Sequence, residues 1–124
     1  MLAALGLFVF DLTSLPFDQR TRRRDWRHER AARVGVRDAS QYVGPGEDLV
    51  TLSGKLLPEV AGSFAAIDTL RDMADAGATY ELVDGAGTVW GGYVILAIDE
   101  RGQYLLDNGV PRLTDFAIDL RRVD

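Results

Sequence analysis

Residues 41–60 read QYVGPGEDLVTLSGKLLPEV, and the stretch changes character halfway. Gly44-Pro45-Gly46 is turn chemistry, because proline fixes φ and glycine accepts positive φ. Glu47 and Asp48 follow as two acids expected at the surface. From Val50 the chain alternates. Val50, Leu52, Gly54 and Leu56 share one parity, while Thr51, Ser53 and Lys55 share the other. A period of two with one apolar face predicts a half-buried antiparallel strand. Pro58 should end it, since proline cannot donate to a strand ladder. A glycine-rich loop also raises phosphate binding. That chemistry needs G-x-x-x-x-G-K-[ST] opening a helix. Here the loop opens a strand, and Gly54-Lys55 lies inside it. The stretch therefore speaks for architecture, with Gly44–Asp48 a rigid corner that sets the register of Val50, Leu52 and Leu56.

Outward from this strand, the pattern stays mostly β. Leu5–Phe10 is apolar on both faces and reads as one buried strand. It is too short to cross a bilayer, and no basic residue precedes Arg20, so a membrane or signal role is not expected. Residues 22–28 and 33–37 read as two short strands of a hairpin with charged outer faces. Ser63–Ala76 reads as the one helix. Ser63 is the N-cap, Phe64, Ile67, Leu70, Met73 and Ala74 form an apolar stripe, and Gly77 is the stop. Asp84–Gly87 reads as a turn. Val89–Ile98 reads as a long strand with a bulge or close approach at Gly91-Gly92. Asp99-Glu100 beside Gly102 looks like a hairpin turn, and Asp107–Gly109 like another. Phe116, Ile118 and Leu120 alternate in a last strand. The expected fold is α+β: a mainly antiparallel β sandwich or partly closed barrel with one α-helix at about 63–76.

The 124 residues make a single domain, 1–124, of ordinary size. The chain has no cysteine, which removes disulfides, thiolate zinc sites and thiol nucleophiles. Charge is split. Residues 20–37 hold eight arginines against two acids, and the remainder holds six basic residues against seventeen acids. A basic segment on an acidic body suits head-to-tail association of copies. The net charge of −5 argues against a general nucleic-acid binder.

Chemistry-bearing residues are sparse. The only histidine, His28, lies among arginines with no paired serine, and no G-x-S-x-G elbow exists. Asp68, Asp72 and Asp75 share a helical face, read as a solvated acidic face rather than an ion site. The G-x-G of DGAGTVWGG lies between strands, the wrong context for a dinucleotide. No catalytic, cofactor or metal residue is assigned. Arg22, Arg24, Trp26, Arg27, Arg30 and Arg33 form the candidate interface. Two readings stand for them: a contact surface for an acidic partner or neighbouring copy, or a solvated edge that resists aggregation.

Four blocks in order carry a resemblance. They are LGLFVFDLTSLPF (Leu5–Phe17), RVGVRDASQYVGPGEDLVTLSGKLLPEVAG (Arg33–Gly62), VWGGYVILAIDE (Val89–Glu100) and FAIDLRRVD (Phe116–Asp124). Together they resemble the tail protein U (GpU) family of P2-like phages. Residues 20–32 and 103–113 match it less clearly. The resemblance implies a structural protein of a contractile tail, or of a tail-like particle such as a tailocin, from a phage or prophage. It implies a place at the baseplate end near the tail tube, with the tube, the hub and a small LysM-type protein as neighbours. It implies no catalytic residues, no cofactor and no direct nucleic-acid or membrane contact. Sixfold, tube-like rings of curved β domains are the expected assembly, formed in the host cytoplasm. The alternative is a small enzyme or ligand-binding domain, for instance one acting on cell-wall polymers.

Overall fold

In the computed structural model, residues 2–11, 14–31, 34–35, 37, 39–57, 63–105, 109 and 111–123 are described. They form seven strands and one helix: β1 (Ala3–Leu5), β2 (Phe8–Phe10), β3 (Phe17–Ala31), β4 (Ala39–Leu56), α1 (Phe64–Ala76), β5 (Tyr80–Asp84), β6 (Val89–Leu105) and β7 (Pro111–Arg122). All strands join one sheet in the order β2-β1-β5-β6-β7-β4-β3, and every pairing is antiparallel.

The sheet is mainly β and open. No ladder joins its outer strands, β2 and β3, among the described residues. It nevertheless curls. The rings of Phe10 on β2 and Phe17 on β3 meet edge-on with centroids 5.6 Å apart. Two strands lie between β3 and β6, yet the guanidinium groups of Arg20 and Arg22 both lie 4.4 Å from the Trp90 ring centroid. The sheet, expected as a sandwich or partly closed barrel, is a single open one whose edges are joined by no hydrogen bonds among the described residues.

The alternation read from residue 50 onward becomes the middle of the core. Val50, Leu52 and Leu56 of β4 are buried beside Phe116, Ile118 and Leu120 of β7. Register explains the match, because Val50 lies opposite Leu120 and Leu52 opposite Ile118. Leu5, Phe10, Leu15, Leu82 and Tyr93 complete this face. The helix covers it with Ala66, Ile67 and Leu70 buried, while Asp68, Arg71, Asp72 and Asp75 face solvent. Its ends are as expected. Ser63 Oγ accepts from the Ala65 N–H, and the Gly77 N–H donates to the Ala74 carbonyl with Gly77 in the left-handed region.

Four expectations are corrected. Leu5–Phe10 is two strands rather than one, because Gly6 at φ 60° and Leu7 make a two-residue reversal. Residues 22–28 and 33–37 do not pair with each other. The first lies in a continuous β3 that pairs with β4, and Val34-Gly35 lie in a turn. Asp99–Gly102 continue β6, opposite Ala117–Thr114 of β7. Gly44–Asp48 lie within β4, not at a corner before it.

The expected irregularity at Gly91-Gly92 is present: Leu82 pairs with Gly91 and Val83 with Val89, which leaves Trp90 as the extra residue of a bulge. Pro58 and most of Asp107–Gly109 lie outside the described residues.

Candidate functional site

The site begins where β3 and β4 outrun the rest of the sheet. β7 pairs with β4 only from Leu49 to Leu56. Above that level the ladder continues between β3 and β4 alone, from Arg24 opposite Asp48 to Ala31 opposite Ala39. Six residue steps from Asp25 to Ala31 carry this two-stranded arm about 20 Å outward at ~3.3 Å per residue.

Two register shifts mark the arm, between Arg24 and Trp26 and between Arg27 and His28. Both place the extra residue on β4, one within Gly46-Glu47 and the other at Val43, so bulges lie inside GPGED and just before it. Bulged strands bend and twist more strongly. A side chain at Gly46 would displace the Asp25 carboxylate and would come within 3.2 Å of the Asp25 backbone carbonyl. That carboxylate accepts from the Glu47 N–H at 2.7 Å, which pins the bulge. Glu47 is exposed as expected, but Asp48 is not.

Asp48 is 8% exposed and anchors the arm's base. Arg22 Nε donates to Oδ1 at 3.0 Å and Nη2 to Oδ2 at 2.6 Å, a forked pair. Arg122 adds a second cation, 3.9 Å from Oδ2. Burial pushes the Asp48 carboxyl upward, but the hydrogen bonds and charge of Arg22, helped by the charge of Arg122, hold it below the usual carboxylate range. The hydrogen bond to Asp48 raises Arg22 in turn. Burial, then the Asp48 charge, pushes the neighbouring Tyr93 hydroxyl up. That hydroxyl has no partner at hydrogen-bonding geometry among the described residues.

This geometry divides the predicted interface. Arg22 turns inward, into an ion pair and over Trp90, and belongs to the fold. Arg24, Trp26, Arg27 and Arg30 are exposed on the arm. Arg33 lies outside the described residues. His28 is exposed and lies against Tyr42, with ring centroids 5.4 Å apart and the planes tilted by 57°. Trp26 and Tyr42 are 56% and 58% exposed.

Sequence reasoning missed Asp48 as an anchor and Tyr42 as the aromatic partner of His28. Neither has a local signal, because each depends on a register between strands 14 to 26 residues apart. It also missed Asp84, whose Oδ1 accepts from the Ala86 and Thr88 N–H groups and whose Oδ2 accepts from Trp90 Nε1. An Asp opening a glycine turn is a recognisable signal for this role.

Asp68 makes a 3.5 Å ion pair with Arg71, and Asp72 and Asp75 are exposed beside it. No helix among the described residues is long and apolar enough to cross a membrane. A family model described as Phage P2 GpU matches residues 6–124, nearly the whole chain. No curated protein matches it.

Proposed function

The chain belongs to the Phage P2 GpU family of phage tail structural proteins, and from that premise we propose that it builds the baseplate-proximal end of a contractile tail or tail-like particle. It acts as one domain, by protein–protein contact rather than catalysis. Copies form a ring next to the tail tube, with six copies the expected number. The tube, the hub and a small LysM-type protein are its neighbours. It is made in the host cytoplasm and ends in the tail of the particle.

The observation that carries this reading is the span of the family match, which takes in the sheet from β2 onward, the helix and both strands of the arm. The fold supports it in physical terms. A ring needs one surface that meets a different surface on the next copy. A charged arm beyond an acidic body supplies two unlike surfaces.

Deleting the gene from the phage or prophage should leave no complete contractile particles by electron microscopy, and the gene in trans should restore them. Intact contractile particles from the deletion strain would overturn the reading.

A further inference from the structure

We propose that the β3–β4 arm lies on the acidic body of a second copy of this chain, and that this contact is heterologous. The inference rests on the ring-forming reading and names its interface.

The arm is incomplete by itself. Residues 25–31 and 39–47 form two strands with no third strand beside them among the described residues. An isolated two-stranded ribbon is at best marginally stable in water and needs another strand or a packed face. The arm also carries a core face without a core. Arg22 lies opposite buried Val50 and Arg24 opposite buried Asp48, so the even-numbered residues of β3 share the inner face. Outward along that face come Trp26, His28 with Tyr42 opposite, and Arg30. These rings, with Val43 at 51% exposure, gather apolar surface where the body cannot cover it. Such surface on a soluble protein marks a contact site.

Charge selects the occupant. On the inner face, Arg24 and Arg30 have no carboxylate partner among the described residues, whereas Arg27 lies on the opposite face with exposed Asp25 and Glu29. The body offers the complement. On α1 and β5, Asp68, Asp72, Asp75 and Glu81 are exposed, with Arg71 the one basic residue of those two elements. Inner face against inner face would set Arg24 and Arg30 of one copy against those of the other, and like charges there cost affinity. Arm against body joins unlike charges, and such a head-to-tail contact closes into a ring when the rotation permits. A second copy therefore satisfies the apolar face and the charge together.

The absence of cysteine makes the test direct. R30C would be combined in turn with D68C, D72C and D75C in the full chain, expressed in the phage or prophage that lacks the native gene. Purified particles would be oxidised and run without reductant. At least one pair should give a ladder of disulfide-linked copies, and R30C alone should give none.

In parallel, R24Q/R30E should lower incorporation into particles at least tenfold without moving the thermal midpoint of the isolated protein. Adding D68R/D72R/D75R should restore most of it. The proposal falls if no pair gives a ladder, if R30C links only to itself or to another tail protein, or if the R24Q/R30E protein incorporates normally. In each of those cases the particles themselves still require the gene, so the structural tail reading is judged separately by the deletion strain.

Discussion

At Asp48 a carboxylate closes the upper end of the core face, held by the forked Arg22 pair. Both side chains are mostly shielded, at 23% and 11% exposure, so the pair is stronger than a surface ion pair. Arg22→Ala would strand the carboxylate and should cost about 1–3 kcal/mol in a urea titration at neutral pH. The acid response follows from the lowered carboxyl. Its stabilisation is fully present above the unfolded value, about 3.9, and is lost as pH falls through the lower folded value. Asp48→Asn should therefore be less stable than the wild type at pH 6 and lose less on acidification, read as the urea midpoint between about pH 6 and pH 2. An equal acid loss in both proteins would assign the effect to other carboxylates. None of this was legible at the residue itself. Asp48 follows Gly-Pro-Gly and Glu47, which is the signature of a surface turn. Only its partner, 26 residues away in sequence, reverses that reading.

Legibility among the elements followed burial. The second half of β4, β7 and α1 each press one face on the core, and their apolar spacing was plain in the sequence. Ser63 and Gly77 bounded the helix by local chemistry. The arm left no such trace. Its residues are exposed on both faces, so no apolar period marks the strand beyond Arg24, and the sequence pattern breaks near Arg30-Ala31 where the strand continues. β1 and β2 were fused for the opposite reason, because apolar residues on both sides of Gly6 hid the reversal. The same contrast predicts dynamics. Amide exchange in the isolated protein should be fast for residues 26–30 and 40–46, which have one ladder and little burial. Val50–Gly54 and Phe116–Leu120, paired on both sides, should be among the slowest. In assembled particles the arm amides should slow by at least tenfold. Equal protection of arm and core in the isolated protein would show that the ribbon is stable unaided.

Across the whole molecule, the sequence indicated antiparallel β with one helix and the family, but not how far the sheet would close. Closure depends on summed twist and on a few long side chains. Arg20 and Arg22 over Trp90 draw β3 inward, while the edges meet through Phe10 and Phe17 instead of a ladder. The charge split was legible by counting, but its placement was not, since one of the arginines most exposed to that reading, Arg22, proved internal. Finally, the arm begins and ends at the paired residues Arg24 and Asp48, so its whole length is a detachable insert between adjacent points of the body. Adding or removing one residue on each strand would exchange its two faces, because side chains alternate with a period of two. Changes of two residues per strand preserve the faces and alter the reach by about 7 Å. Reach is therefore quantised: homologues and redesigned variants can span wider or narrower spacings between copies only in even steps, or by adding a compensating bulge.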